Sequence, residues 1–390
     1  MFQGIAIHSS SVRRQYTHAL AVDSGMLLLT RATDCYPGPN ELTRLCALSA
    51  PDVILLDIDN PEAALACLES LQRTYPDVPV ICFGGTPVQQ KAFRPRGVSH
   101  FLDYPPEPHT FVATLAQAIR SSHDGSLPGL FAFVPAKAGS GSSTLAAGVA
   151  ATMAGCLGKR VLCADADLRC GPLATMFGVQ PRGSLQGALS SADELDQFKW
   201  NNCVTPLYGA DFLLSTGTLP NPFPEWSHYF ALLRFVESRY DVLLFDLPEL
   251  INDSTEEVIR RASSVVVVAT QETVSLTLAE RRIAELQKWG APDDRIHLLV
   301  NRWTGRDTEA AEAASLAAWQ IRWKIPNDYQ RARAIQAGEL PVPPASSLGK
   351  ALLQLAQDLL GGEAAMEAPA VRGAGLAGVF RSLVSRHQLQ

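Results

Sequence analysis

The amino-acid sequence predicts an α/β protein with two doubly wound domains, each a parallel sheet with helices on both faces. Three observations lead to this prediction. Short apolar runs alternate with stretches of helical periodicity along most of the 390 residues. The apolar runs of the second part are uninterrupted, as strands buried on both faces require. A glycine-rich loop also lies between one such run and a helical stretch, where α/β proteins often bind ligands.

Residues 1–120 are predicted to form the first domain, with a flavodoxin-like fold. Its candidate strands are Gly4–His8, Met26–Arg31, Val53–Asp57, Val78–Phe83 and His100–Leu102. Leucines and alanines at helical spacing predict a helix over Pro61–Arg73. The turn-rich residues 121–128 are expected to link this domain to the next.

Residues 129–362 are predicted to form the second domain, and residues 363–390 a tether with a short tail. The candidate strands of the second domain are Leu130–Val134, Val161–Ala164, Phe212–Leu214, Val242–Phe245, Ser264–Ala269 and Ile296–Val300. Their continuous apolar character indicates a parallel sheet covered on both faces.

The most informative segment of the chain is its glycine-rich loop, Lys137-Ala138-Gly139-Ser140-Gly141-Ser142-Ser143-Thr144. A strand, a glycine loop and a helix in succession direct backbone N–H groups and a helix N-terminus at a polyphosphate. An ordinary P-loop has a lysine just before its final serine or threonine, but this chain has Ser142 there. A different lysine, Lys137, stands at the front of the loop. We therefore expect a nucleotide site with an altered arrangement of charge.

Polar residues follow several of the predicted strands of the second domain. Asp165 and Asp167 come after one strand and Asp246 after another, where carboxylates hold Mg²⁺ or position an attacking water. Asn301 and Arg302 follow a third strand and suit the edge and face of a purine. Each feature alone has a structural alternative, because strand-end aspartates often cap helices or stabilise turns, and Asn and Arg often satisfy loop backbone.

These segments together resemble the MinD/ParA family of deviant Walker A ATPases over about residues 129–360. Within this family the chain is most similar to the CpaE/TadZ pilus-assembly branch. This similarity depends on Ser142 before Ser143-Thr144, on Asp246-Leu247-Pro248, and on Ile325-Pro326-Asn327-Asp328-Tyr329 before an alanine-rich helix. The resemblance implies a cytoplasmic homodimer that binds ATP and Mg²⁺ between subunits. It also implies a role in organising Flp/Tad-type pilus or secretion assembly proteins at the inner membrane or cell pole.

The resemblance also implies a role for each matching loop residue. Lys137 would reach across the dimer interface to the phosphates of the partner subunit. Gly139 and Gly141 would let the backbone approach the phosphates, Ser143 would ligate Mg²⁺, and Thr144 would contact the α-phosphate. The remaining nucleotide-binding positions implied in the loop are Ala138, Ser140 and Ser142.

Outside the loop, the family resemblance assigns the strand-end residues. Asp246 corresponds to the Walker B carboxylate and Asp165 to its strand-end partner, both at the metal. Asp167 resembles the acid that positions water for hydrolysis, and Asn301 the residue that reads adenine. The implied nucleotide contacts are completed by Arg302, Pro326 and Asn327.

Two loop positions depart from the family pattern. Ala138 replaces a usual glycine, which a negative φ would accommodate. Ser142 cannot supply a positive charge, and one charge-assisted hydrogen bond is worth about 1.5–3 kcal/mol, so ATP affinity should fall about 10- to 100-fold. Hydrolysis should suffer more, because that charge stabilises the transition state. We expect an ATP hydrolase of weak activity, or, alternatively, a non-hydrolysing nucleotide-binding scaffold or signalling adaptor.

The first domain contains Asp57 at the position that resembles the phosphoacceptor of response-regulator receivers. Phosphoryl transfer there requires acids after the first strand, a hydroxyl after the fourth and a lysine after the fifth. This chain has His8-Ser9, Gly84 and Tyr104 at those places. With no acid pair and no cation expected near Asp57, we predict a pseudo-receiver used for docking.

Composition bounds the remaining alternatives. The formal net charge of −6 disfavours nucleic acid as a partner and makes a ParA-like DNA partition role the least favoured function. The scattered cysteines indicate reduced thiols in a cytoplasm. The apolar positions of Leu376–Arg386, with three arginines and no acids in residues 371–390, predict a short amphipathic helix. That segment would contact an anionic membrane peripherally or dock on its own domain.

Overall fold

The computed structural model describes residues 1–123, 125–305 and 319–361. The chain divides between Gly125 and Ser126 into two compact units, here named unit 1 and unit 2. The predicted tail, residues 363–390 with the candidate helix 376–386, lies outside the described residues.

Unit 1 is a five-stranded parallel sheet with helices between the strands. Its elements are β1 Phe2–Ile7, α1 Ser11–Ser24, β2 Leu27–Thr33, α2 Pro39–Ser49, β3 Val53–Asp57, α3 Pro61–Thr74, β4 Val80–Phe83, α4 Pro87–Phe93, β5 His100–Leu102 and α5 Pro108–Ser122. The strand order is β2-β1-β3-β4-β5, one of the common doubly wound orders. Side chains cap three of its helices at the N-terminus, since Ser10 caps α1, Asn60 caps α3 and Thr86 caps α4.

Unit 2 contains the longer run of elements. They are β6 Leu127–Pro135, α6 Ser142–Gly155, β7 Val161–Asp165, α7 Pro172–Phe177, α8 Leu185–Ser190, α9 Gln197–Cys203, β8 Thr205–Leu207, β9 Ala210–Leu213, α10 Trp226–Val236, β10 Val242–Asp246, α11 Glu256–Arg261, β11 Ala262–Thr270, α12 Thr273–Lys288, β12 Ile296–Trp303, β13 Ile321–Pro326, α13 Tyr329–Gln336 and α14 Ser347–Leu359.

The sheet of unit 2 has the order β13-β12-β11-β6-β10-β7-β9-β8. Every neighbouring pair is parallel except β8 and β9, which are antiparallel. Successive residues of the central strand β6 enter different cores, because strand side chains alternate between faces. Leu130, Ala132 and Val134 pack in one hydrophobic cluster, whereas Phe131 and Phe133 pack in another. The sheet is therefore buried on both faces, as its apolar strands predict.

The predicted strands are present, and most extend one to three residues further than predicted. Two strands are absent from the prediction, β8 and β13, and β8 makes the sheet mixed instead of purely parallel. The predicted helix Pro61–Arg73 is α3. The connection between the units is shorter than the expected 121–128, since α5 ends at Ser122 and β6 begins at Leu127.

Candidate nucleotide site

The glycine-rich loop joins the carboxyl end of β6 to the start of α6. Gly139 and Gly141 have φ of +78° and +95°, a region that other residues enter only at a cost. A Cβ on Gly141 would also clash with Asn301 Nδ2, whereas a Cβ on Gly139 would meet no atom of the described residues within 4 Å. Ala138 is not among the residues with positive φ, which is why alanine fits there. The loop is a compact turn that leads into the N-terminus of a 14-residue helix.

Asp165 and Asp246 end the neighbouring strands β7 and β10 and are paired directly in register. Both are buried, with Asp165 fully inaccessible and Asp246 2% exposed. The pKa of Asp246 is raised to about 7: burial is the largest cause, the hydroxyls of Ser143 and Ser142 oppose the shift, and the charge of Asp167 adds to it. Burial, followed by the charge of Asp246, also raises the pKa of Asp165 well above its ordinary value. A cation would relieve this carboxylate pair.

Ser142 Oγ donates a hydrogen bond to Asp246 Oδ1 at 3.1 Å, and Ser142 is only 4% exposed. The residue at the usual lysine position therefore faces the strand-end carboxylate. The loop itself has its cation at the other end, where Lys137 Nζ lies 3.2 Å from Glu272 Oε2. Glu272 directly precedes α12 and was not predicted as a site residue, because its position follows from the pairing of β11 with β6.

Asp167 and Asp165 also organise the loop after β7. Asp167 Oδ1 accepts from the backbone N–H groups of Arg169 and Cys170 at 3.1 and 3.0 Å. Asp165 accepts from the N–H of Leu173 at 2.9 Å and that of Asp167 at 3.3 Å. Asp167 thus stabilises a turn, and its negative charge also raises the pKa of Asp246.

Asn301 and Arg302, which follow the apolar part of β12, contact the loop backbone. Asn301 Nδ2 donates to the carbonyl of Ser140, and Arg302 Nη2 donates to the carbonyl of Gly139, both at 2.9 Å. Arg302 has a φ of +56°, and its own N–H donates to Asn301 Oδ1. In this structure Asn301 and Arg302 therefore bond to carbonyls of the loop backbone, which is the structural role given above as the alternative to binding a purine.

The other predicted contacts lie at the same edge of the sheet. Pro326 is paired in register with Trp303 at the end of β12, and the N–H of Asn327 donates to the Trp303 carbonyl at 3.0 Å. The Thr144 hydroxyl lies 4.0 Å from Met176 Sδ on α7. All the predicted site residues of unit 2 thus lie in the loop or at or just after the carboxyl ends of strands, at one edge of the sheet.

Several buried polar atoms at this edge have no hydrogen-bond partner in the described part of the chain. They include Ser140 Oγ in the loop, Thr270 Oγ1 at the end of β11 and Gln271 Nε2 just after it. Buried polar groups are normally paired, so atoms of this kind commonly mark a place where a ligand or water completes the bonding. Thr270 and Gln271 were missed by sequence reasoning, because nothing in the local pattern distinguishes them from strand-end turn residues.

Unit 1 has its own strand-end carboxylate, Asp57, and it is fully buried. Asp57 Oδ2 accepts from the N–H and the hydroxyl of Ser9 at 3.0 and 2.7 Å. Asp57 Oδ1 accepts from Arg13 Nη1 at 2.8 Å and from the N–H of Asp59 at 3.0 Å. The expectation that Asp57 has no cation nearby is therefore wrong, since α1 supplies one.

The Arg13 guanidinium contacts Asp59 and Tyr104 in addition to Asp57. Its Nη2 donates to Asp59 Oδ1 at 2.8 Å, and its guanidinium lies 4.1 Å from the ring centroid of Tyr104. A Cβ at Gly84 would come within 2.6 Å of Arg13 Nη1, so glycine leaves the room for the guanidinium. Sequence reasoning missed Arg13 because it compared only the residues that follow strands.

No protein-family model matches the chain. The septum site-determining protein MinD of Thermotoga maritima is 24% identical over 173 residues, which is 43% of this chain and 61% of that MinD. An uncharacterised ATP-binding protein of Methanocaldococcus jannaschii is 24% identical over 239 residues, 59% of this chain and 87% of that protein. The chain thus spans less than two thirds of the length of its MinD relative.

Among solved structures, a ParA-family ATPase from Chlorobium tepidum has a TM-score of 0.53 and 24% identity. The match covers 58% of this chain and 97% of that one. Unit 1 ends at Gly125 and is shorter than this match, so the matched residues must include unit 2. Unit 2 has the MinD/ParA type of P-loop ATPase fold. In the described residues, no helix combines the length and apolar character needed to cross a membrane.

Proposed function

We propose that unit 2 binds ATP with Mg²⁺ at the loop Lys137–Thr144 and dimerises when it does so. The observation that carries this proposal is the convergence of the loop, the start of α6 and the paired carboxylates Asp165 and Asp246 at one edge of a MinD/ParA-type sheet. One relative with 24% identity is named as an ATP-binding protein, which favours adenine over other bases.

The loop fits a polyphosphate on three physical grounds. The first N–H groups of α6 have no partner within the helix, so they and the positive end of its dipole are available to an anion. Asn301 and Arg302 already hold the carbonyls of Ser140 and Gly139, which keeps these oxygens from competing for the same position. The buried hydroxyl of Ser140 has no hydrogen-bond partner among the described residues, so it loses none when a ligand binds.

The same edge also fits Mg²⁺. The described residues contain no group of three or more His, Cys, Asp or Glu that would hold a metal by itself. Magnesium at phosphates commonly uses one or two carboxylates and keeps several waters. Asp246 and the Ser143 hydroxyl, with Asp165 beside them, are adequate for this, and the ion would remove the cost of two buried adjacent carboxylates.

The proposed dimer interface is the same edge of the sheet. Exposed apolar side chains follow the carboxyl ends of three strands there: Leu250 after β10 is 76% exposed, Val274 after β11 is 64%, and Phe223 after β9 is 43%. Lys137 would leave Glu272 and reach the phosphates in the partner subunit. This supplies in trans the positive charge that Ser142 does not supply in cis.

We propose slow hydrolysis, with Asp167 positioning water and Asn301 reading adenine once nucleotide displaces its present contacts. The Ser142–Asp246 hydrogen bond specifically favours the alternative, a non-hydrolysing scaffold or adaptor, because the residue at the lysine position contacts a carboxylate and has no positive charge to offer the phosphates. A DNA partition role is less favoured at a net charge of −6, and strong salt-dependent DNA binding would revive it.

As for the cellular role, we propose a CpaE/TadZ-like organiser of Flp/Tad pilus or secretion assembly. It would act in the cytoplasm, peripherally at the inner membrane or pole, with residues 376–386 as the membrane contact. Unit 1 would serve as a flavodoxin-like pseudo-receiver for docking. Its strand order and the complete hydrogen bonding of Asp57 support this, because no oxygen of that carboxylate is left for a phosphoryl donor.

Size-exclusion chromatography with light scattering, without nucleotide and with ADP or ATP plus Mg²⁺, tests the switch. We expect a dimer only with ATP, and Lys137→Ala should remain monomeric. Lys288→Ala, at the far end of α12, is the control and should dimerise normally. Calorimetry that detects no binding of any adenine nucleotide to folded protein would contradict the proposal.

Single-turnover hydrolysis separates the two candidate functions. If the chain is a slow ATPase, Asp167→Ala should abolish hydrolysis and leave the ATP-induced dimer intact. If it is a scaffold, wild type and Asp167→Ala should show the same negligible turnover, with the dimer present in both.

A further inference from the structure

One edge of the sheet of unit 1 is formed by β2. β2 is seven residues long and terminal in its sheet, with β1 as its neighbouring strand. Proteins commonly shorten, charge or cover such edges, because their unpaired N–H and C=O groups accept another strand. β2 contains no proline, and its apolar Leu28 is 52% exposed.

The register fixes which backbone groups of β2 face away from β1. Phe2 N–H donates to the Met26 carbonyl at 2.8 Å, and His8 N–H donates to the Thr33 carbonyl at 3.2 Å. In a parallel ladder alternate residues bond to the same neighbour, so Leu27, Leu29 and Ala32 direct their groups outward. The register shifts once between them, opposite Gly4 and Ile5.

A cavity of about 440 Å³ lies beside this edge, between α1 and β2. Its α1 wall includes Arg14 and His18, and its β2 wall includes Arg31 and Ala32. Arg14 is half-exposed and pairs with Asp34 at 3.4 Å, and Arg31 donates to its neighbouring Thr30 carbonyl. An exposed ion pair of this kind contributes little, so Arg14 is available to a better partner.

We propose that this groove binds an extended acidic segment of a partner protein, added as a sixth strand beside β2. The outward N–H and C=O groups would supply main-chain hydrogen bonds, and acidic side chains at alternate positions would enter the cavity between Arg14 and Arg31. Added strands obtain affinity from the backbone and specificity from such pockets.

The charge of the groove selects against a second copy of this chain. Antiparallel pairing of two β2 strands about Arg31 would place the Arg31 side chains of the two copies opposite each other. Like charges across a strand pair are destabilising, whereas glutamates opposite these arginines are favourable. The proposal does not depend on nucleotide binding by unit 2, so each can fail separately.

The test uses the full chain and a short fluorescein-labelled peptide that alternates glutamate with valine, followed by fluorescence anisotropy. The Arg14→Glu/Arg31→Glu variant should bind the peptide at least tenfold more weakly than wild type. Arg44→Glu/Arg73→Glu makes the same charge change on α2 and α3 and should bind like wild type. A lysine–valine peptide should not bind.

Two further measurements test the strand geometry. A glutamate–valine peptide N-methylated at alternate positions keeps its charge but loses backbone donors, and should bind at least tenfold more weakly. Hydrogen exchange with mass spectrometry should show slower exchange in residues 27–33 when the unmodified peptide is added. Equal loss of binding in both arginine variants, protection elsewhere, or no binding would overturn the proposal. Peptide-independent dimerisation that protects residues 27–33 would also overturn it, since a second copy would then be the occupant.

Discussion

The two units place a buried aspartate at the carboxyl end of an apolar strand, and the two carboxylates have opposite surroundings. Asp57 in unit 1 accepts four hydrogen bonds, from Ser9, Arg13 and the backbone of Asp59. Asp246 in unit 2 is paired in register with the neighbouring acid Asp165, and within the described residues its carboxylate accepts hydrogen bonds from the serine hydroxyls of Ser142 and Ser143. The same local pattern thus gives one neutralised carboxylate and one that lacks a cation.

The difference teaches where to look for ligand binding in an α/β protein. A buried charge is retained only if it is paired or if something binds to it. In unit 1 the chain itself provides the cation, so the cluster is complete. In unit 2 the pKa of Asp246 is raised, first by burial, and no cation of the described residues is among the causes of the shift. The contrast supports an external cation with the nucleotide in unit 2 and a purely structural role for Asp57.

Removing the cation of unit 1 should have the largest effect. Arg13→Ala leaves Asp57 buried and unpaired, and breaking such a pair costs about 3–5 kcal/mol in the free energy of unfolding. All six tryptophans lie in unit 2, so circular dichroism should show an early transition that tryptophan emission does not. Arg14→Ala, the adjacent half-exposed arginine, is the control.

The same variant can break the comparison between the units. With Arg13 absent, Asp57 and Asp59 resemble the open carboxylates of unit 2, so millimolar Mg²⁺ should recover part of the lost stability. The comparison fails if Arg13→Ala unfolds like wild type, because the guanidinium would then contribute nothing to Asp57.

The contrast also marks the limit of what the sequence predicts. The loop, its flanking strand and helix, and the strand-end acids follow from local pattern, since glycine spacing and apolar runs are local properties. Arg13 contacts an aspartate 44 residues away, and Lys137 a glutamate far along the chain, which no local pattern specifies. β13 was missed because Arg322 and Lys324 interrupt its apolar residues, as expected of an edge strand, and β8 because it has three residues and includes Pro206.

The two loop glycines, Gly139 and Gly141, differ in the space available for a side chain. Ala at either position pays about 1–2 kcal/mol for a positive φ. Gly141→Ala must also displace Asn301 Nδ2, which would clash with the new Cβ, whereas Gly139→Ala meets no atom of the described residues within 4 Å. We expect Gly141→Ala to lose more stability by tryptophan emission, and to lose nucleotide binding by calorimetry. Equal effects at both positions would show that Asn301 does not hold the loop.

Introducing the usual P-loop lysine at position 142 tests whether the missing positive charge is what limits the ATP affinity of unit 2. Ser142→Lys should raise ATP affinity about 10- to 100-fold, equivalent to a charge-assisted hydrogen bond of about 1.5–3 kcal/mol. Ser142→Ala is the control, since it removes the hydroxyl from Asp246 without adding charge. Unchanged affinity in Ser142→Lys, measured by calorimetry with Mg²⁺ present, would mean that the cation supplied in trans already suffices.

The smallest expected effect concerns His8, which lies next to the Asp57 cluster. Its Nδ1 is 2.9 Å from the Thr33 carbonyl, and its Nε2 is buried with no hydrogen-bond partner in the part of the chain that the structure describes. Burial lowers its pKa below 6.5, and the charges of Arg14 and Arg13 lower it further, against the Thr33 carbonyl and Asp57, which raise it. Below about pH 6.5 the unfolded chain therefore binds more protons at this residue than the folded chain does, so unit 1 loses stability as the pH falls.

His8→Asn can keep the bond to Thr33 without titrating, and its loss of stability between about pH 6.5 and 5 should be shallower by circular dichroism. If the stability of the two proteins fell equally with pH, protonation of His8 would not destabilise unit 1. The region around Asp57 would then be more open to solvent than its hydrogen bonds indicate.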